Sequence, residues 1–219
     1  MITALWLVSA LSALAYGVLW VLAPISPLRT VVKIMPVAAL ALIAYLTGPQ
    51  HGVALLLPAA LVLSAVGDGF LAGDPKRWLP LGLASFLVAH LIYVALFWSA
   101  GGPSALSEPI RPVLIAAAVV SGIGMLKWLW PHLGAMRGAV SAYVGAIVAM
   151  LATGLLLPWT AWPVMVGALA FMASDAILSA DLFRGAKIAG SERLSAYAIW
   201  GLYYGGQAAI ALGLMRLDF

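Results

Sequence analysis

Long apolar runs, each closed by a cluster of proline, glycine or polar residues, dominate the pattern of this chain. Eight runs recur, at residues 2–22, 31–46, 53–71, 79–98, 112–130, 137–157, 162–181 and 194–215. Between them lie APISP, TGPQHG, AGDPKR, SAGGPSALSEP, PHLGAM, LPWTAWP and RGAKIAGSER. A bilayer's hydrocarbon core, about 30 Å thick, takes about 20 mostly apolar residues per helix. Each run is therefore predicted to be a transmembrane helix and each break a loop at the membrane surface. The second run is short, and Lys33 at its start can extend its stem to the headgroups. Little chain remains outside the runs, so residues 1–219 are predicted to form a single integral membrane domain, an all-α polytopic transmembrane bundle.

Composition agrees: of 219 residues, 65% are hydrophobic and only 8% charged, a balance no soluble domain has. Charge adds orientation, because cytoplasmic loops collect Lys and Arg. The odd-numbered loops and their flanks hold nine cations, Arg29, Lys33, Lys76, Arg77, Lys127, Arg137, Arg184, Lys187 and Arg193; the other side holds two, Arg111 and Arg216. Both termini are then predicted outside, and the membrane is expected to be a bacterial inner one. The sequence pI near 9.6 reads as this orientation signal, with membrane lipids as contacts. No loop is long enough for a basic nucleic-acid surface. The first run has no basic residue before it, so it reads as a retained helix. Without cysteine there is no disulfide, thiolate nucleophile or iron–sulfur site. Tryptophans at 98, 128, 130, 159 and 162 fall at predicted boundaries and read as interfacial anchors.

Two carboxylates stand out against this background. GDGFLAGD and SDAILSAD both read Asp-x-x-Leu-x-x-Asp and place Asp68 and Asp175 inside spans three and seven. A charged group there costs about 3 kcal/mol on insertion scales, so its presence points to use. Spans three and seven are four apart and hence parallel, which suggests two four-helix halves related by a pseudo-repeat. His90 and Tyr93 in span four, Tyr203, Tyr204 and Gln207 in span eight, and Lys33 in span two all fall between the cytoplasmic interface and the midplane. Phe86, His90, Tyr93 and Phe97 form one stripe, and Tyr203 and Gln207 an i, i+4 pair. Structural alternatives exist: an Asp68–Lys33 ion pair, and a His90 that donates to a backbone carbonyl or to Ser85.

GDGFLAGD followed by FLVAHLIYVALF, and GALAFMASDAILSADLF followed by YYGGQ, resemble the YhhN family of eight-span membrane proteins, whose characterised members are lysoplasmalogenases. The first family motif is matched by Gly67, Asp68, Phe86, His90 and Tyr93, the second by Ser174, Asp175, Tyr203 and Gln207. Lys33 and Pro36 match the start of span two loosely, with Ile34 where proline is expected. The resemblance implies a lysophospholipid substrate. Its vinyl ether would be cleaved to a fatty aldehyde and glycerophosphoethanolamine or glycerophosphocholine.

That reaction protonates the β-carbon, gives an oxocarbenium ion, and adds water to form a hemiacetal that collapses. It requires one acid, one base and no nucleophile. Two aspartates in unlike environments, one holding its proton and one ionised, meet the requirement. Asp175, taken as the deeper, is expected to be the acid, Asp68 the base, and His90 the group that polarises or relays water. Lys33, with Tyr203 or Gln207, is expected to hold phosphate or glycerol oxygens; Tyr93, Ser174 and Tyr204 complete the expected substrate-binding set. No cofactor is expected. His51, His90 and His132 are predicted too far apart to share a zinc ion, and no Gly-x-Ser-x-Gly is present. The reading from another class is a small proton- or ion-coupled carrier using the same Asp and His groups. The predicted pocket lies among spans two, three, four, seven and eight, opens to the cytoplasmic headgroups and extends toward the midplane for one chain.

Overall fold

The computed structural model describes residues 1–49 and 51–216; Gln50 in the second predicted break, and the side chain of Lys76 among the nine cations, lie outside the described residues. Its helices are α1 (Ile2–Ala15, continued by a wider π turn at Tyr16–Trp20), α2 (Pro27–Thr47), α3 (Leu56–Leu71) and α4 (Pro75–Ala100). They are followed by α5 (Ile110–Leu129), α6 (Arg137–Gly154), α7 (Trp162–Arg184) and α8 (Glu192–Leu214). All eight predicted spans are helices, and their ends follow from local chemistry. Ser26 accepts the Arg29 N–H at 3.2 Å ahead of Pro27, an N-cap with proline at the first position. Ser191 caps α8 in the same way through the Leu194 N–H. Gly185 ends α7 at φ +62°, a left-handed conformation that glycine adopts without penalty, three residues beyond the predicted end. α6 stops at Gly154, short of its prediction, and the free carbonyls of Leu155 and Leu157 are taken by the buried Arg111. Arg111 also pairs with Glu108, and the Trp159 indole and Arg111 together hold the Glu108 carboxyl below the usual carboxylate range.

Among the described residues, seven helices are long and apolar enough to cross a membrane, and α8 is not one of them. Its apolar run is diluted by polar and small residues, among them Tyr203, Tyr204 and Gln207. Its place is set by packing against α7. A Cβ on Gly213 would meet Val164, one on Gly206 would meet Gly167, and Ser174 bonds to Ile199, so α8 lies antiparallel along the length of α7.

Neighbours repeat with a step of four: α3–α4 and α7–α8, α1–α2 and α5–α6, α2–α3 and α6–α7, α4–α6 and α8–α2. This is the arrangement expected of two four-helix halves, and it gives Asp68 on α3 and Asp175 on α7 equivalent places. Lipid tails are as apolar as leucine, so close van der Waals approach must hold such helices together. At the α7–α8 crossing a Cβ on Gly167 would lie 2.6 Å from the Gly206 carbonyl oxygen; at α3–α4 one on Gly67 would lie 2.6 Å from the Phe86 ring. The core formed between these pairs includes Leu40, Ile43, Leu61, Phe97, Met150 and Phe171. Gly167→Ala is expected to lower the thermal midpoint in detergent, since overpacking costs about 1–3 kcal/mol. Gly201→Ala, whose Cβ would meet nothing within 4 Å, is expected to leave it within error.

Candidate functional site

Asp68 is 2% exposed and has two partners. Its Oδ1 lies 3.5 Å from Lys33 Nζ, and its Oδ2 accepts the Tyr203 hydroxyl at 2.6 Å. Three helices thus meet on one carboxylate: α3 supplies it, α2 the cation and α8 the hydroxyl. Asp175, half-buried on α7, accepts the Tyr143 hydroxyl of α6 at 2.5 Å. Among the described residues no Lys or Arg nitrogen lies within 4.0 Å of it. The two aspartates differ in their partners.

Both line one cavity of about 190 Å³, together with Lys33, Ser174 and Tyr203. Its walls come from the five predicted helices and also from α1, through Tyr16. Val21 and Arg29 flank the first loop, Leu71 and Leu79 the third, Leu182 and Ala196 the seventh, so the cavity sits at the odd-loop end of the bundle. Arg29 is fixed at the rim: its Nε donates to the Trp20 carbonyl at 3.1 Å and its Nη1 to that of Ala72 at 2.8 Å.

Other predicted residues stand one layer back. Phe86, Phe171 and Tyr203 meet edge to face at 5.2–6.1 Å between centroids and form a partition. His90 does not line this cavity; its ring packs on Phe171 and on Tyr143, with centroids 4.7 and 5.2 Å away. Its Nδ1 is 2.6 Å from the Phe86 carbonyl, which only accepts, so Nδ1 carries the hydrogen and Nε2 is a buried acceptor with no partner. The structural alternative considered for His90 is thus realised. Tyr93 donates to Gln207 Oε1 at 2.6 Å, and neither residue lines the cavity. Tyr204 is bonded to Ser9, whose hydroxyl donates to the Pro36 carbonyl; the trio ties α8 to α1 and α2 away from the cavity. Ser174 lines the cavity while donating to Ile199 at 2.9 Å.

Three participants were missed. Arg29 lies one turn before Lys33, an i, i+4 relation that the sequence displays, but it was counted only as an orienting charge. Tyr143 and Tyr16 sit in spans with no motif, and nothing in the sequence pairs them with a carboxylate or a cavity. Among the described residues no group of three or more His, Cys, Asp or Glu is arranged to hold a metal ion.

Fold and site together define a polytopic α-helical integral membrane protein with a cavity inside its bundle that both aspartates line. The chain belongs to the YhhN family, whose sequence model matches residues 28–214. It is 35% identical over 226 residues to the lysoplasmalogenase of Mycobacterium bovis, covering 95% of this chain and 82% of that protein. To lysoplasmalogenase TMEM86B of Homo sapiens it is 34% identical over 209 residues, covering 94% and 84%. To lysoplasmalogenase TMEM86A of Homo sapiens it is 32% identical over 223 residues, covering 92% and 84%. No solved structure matches the chain.

The Lys33–Asp68 pair is open to a thermodynamic cycle. Lys33→Met and Asp68→Asn are each expected to lower stability, because each strands a buried partner. The double variant is expected to lose less than the sum, with a coupling of about 0.5–3 kcal/mol from unfolding in detergent. Additive losses would show that the two side chains do not interact.

Proposed function

We propose that this protein is a lysoplasmalogenase, hydrolysing the vinyl ether of a lysophospholipid to a fatty aldehyde and glycerophosphoethanolamine or glycerophosphocholine. One observation carries the reading: two intramembrane aspartates with unlike partners line a single cavity. The chain's 34–35% identity over most of its length to proteins named lysoplasmalogenase supports it.

In this mechanism Asp175, with a hydroxyl partner and, among the described residues, no Lys or Arg nitrogen within 4.0 Å, protonates the β-carbon of the vinyl ether. Positive charge moves onto the α-carbon and ether oxygen, where the carboxylate of Asp68 offsets it. Water adds to the α-carbon and gives its proton to Asp68, and a hemiacetal forms. On collapse the hemiacetal hydroxyl returns a proton to Asp175, and Asp68 protonates the departing glycerol oxygen. Both carboxyls are restored, and one water has been consumed. His90 stands behind the partition, where its ring packs on Tyr143 and so positions the hydroxyl that meets Asp175. Tyr203 orients Asp68, and Tyr93 and Gln207 hold the partition from behind. Ser174 and Tyr204 act through α8, one fixing its distance from α7 and the other its contact with α1. Arg29 and Lys33 are the cations for the phosphate at the rim.

The cation bias and the cavity's place at the odd-loop end support a cytoplasmic site with both termini outside, in a bacterial inner membrane. The chain has no cysteine, so a single introduced one reports its side: labelling of Ser104→Cys by an impermeant maleimide is expected in intact cells, and that of Gly134→Cys only after lysis.

Purified protein is expected to release aldehyde from a vinyl-ether lysolipid and none from its saturated ether analogue. Asp68→Asn and Asp175→Asn are expected to stay folded and monodisperse with turnover reduced at least about a hundredfold, the contribution of general acid–base groups. A variant with near wild-type turnover would remove its aspartate from the mechanism. Uptake into liposomes without any product would replace the hydrolase by a carrier. Prolonged chelation is expected to leave activity intact; loss restored only by zinc would overturn the two-aspartate chemistry.

A further inference from the structure

Asp175 stands in two walls. On one side it faces the cavity shared with Asp68. On the other, it and Tyr143 border a second cavity of about 400 Å³ between α5, α6 and α7, lined otherwise by apolar residues, glycines and two serines. This second cavity runs into a third, of about 510 Å³, between α5 and α7: Ser121, Met172 and Ala176 border both. The far end is closed by Trp159 and Trp162. Over the 13 residues from Trp162 to Asp175, α7 rises about 20 Å at about 1.5 Å per residue. One leaflet of hydrocarbon is about 15 Å deep, half the bilayer core. Two adjoining cavities therefore line α7 over the stretch from Trp162 to Asp175, and together they form a track long enough for a single chain.

Resting on the lysoplasmalogenase reading, we infer that the track between α5 and α7 holds the substrate's single hydrocarbon chain and delivers its vinyl ether to Asp175. The chain's place is thus not among the helices that form the cavity shared with Asp68, where the sequence located it, but on the other face of α7. Polarity selects the occupant. A molecule that touches both walls of Asp175 must be hydrocarbon on the α5 side and must carry an anion for Arg29 and Lys33 on the α2 side. A lysolipid has this division, with its vinyl ether at the junction. The rival is a larger apolar groove of about 740 Å³ between α2 and α3, but it borders neither aspartate, so a chain lying there does not lead to Asp175.

Two positions gauge the track. Gly124 borders its near part, and a Cβ there would meet nothing within 4 Å, so the backbone accepts a side chain beside the track. Ala117 borders the far part and is exposed. Gly124→Leu is expected to raise KM for short- and long-chain vinyl-ether lysolipids alike. Ala117→Trp is expected to lower the long-to-short ratio of kcat/KM at least about tenfold, within the range of hydrophobic-pocket discrimination. Ala59→Trp, in the α2–α3 groove, serves as the comparison and is expected to leave that ratio unchanged.

A saturated ether lysolipid with a diazirine at its chain end supplies a readout independent of turnover: its photocrosslinks are expected on α5 and α7. Crosslinks on α2 and α3, or a chain-length ratio that moves with Ala59→Trp and not with Ala117→Trp, would overturn the track. Crosslinks on α5 and α7 without aldehyde from any lysolipid would uphold the track and remove the hydrolase. Aldehyde release with crosslinks elsewhere would do the reverse.

Discussion

A carboxylate inside a hydrocarbon layer must have partners, and the demand of Asp68 organises the interior of this bundle. Lys33 and Tyr203 meet it from helices far apart in sequence, so α2, α3 and α8 converge at one depth. An ion pair of this kind is weak evidence for stability, because removing two charges from water costs about as much as their attraction returns. What it provides is registry: sliding α8 by one residue along α7 would take Tyr203 from Asp68 and Gly206 from Gly167 together. The small-residue crossing and the carboxylate pairing specify the same alignment.

The same alignment separates the polar groups into layers. Phe86, Phe171 and Tyr203 divide the cavity from His90, whose ring packs against Phe171 on the far side. Tyr143 is the direct link, touching His90 with its ring and Asp175 with its hydroxyl.

Much of this was legible in the sequence, for reasons that are physical. Hydrocarbon allows only a helix to cross alone, so apolar length fixed the spans. Asp68 and Asp175 were conspicuous because charge there is costly. What periodicity cannot supply is the identity of the helix that a given face meets. Phe86, His90 and Tyr93 were rightly placed on one stripe of span four, yet of the three only Phe86 reaches the cavity, and His90 and Tyr93 lie behind it. Asp175 was taken as the deeper carboxyl from its distance to a helix end; packing made Asp68 the more buried one, because three helices close over it and α5 does not close over Asp175. Tyr143 was invisible for the same reason, since its role depends on α6 lying beside α7.

One consequence follows from the position of Asp175 between the cavity shared with Asp68 and an apolar track. A hydrolysis at that junction sorts its own products by phase. On the proposed mechanism the glycerophospho-alcohol would form on the side that holds Arg29 and Lys33, and the aldehyde beside the apolar track. Neither has to pass through the space of the other to depart, and recombination is opposed by the partition of the two fragments into different solvents rather than by any gate.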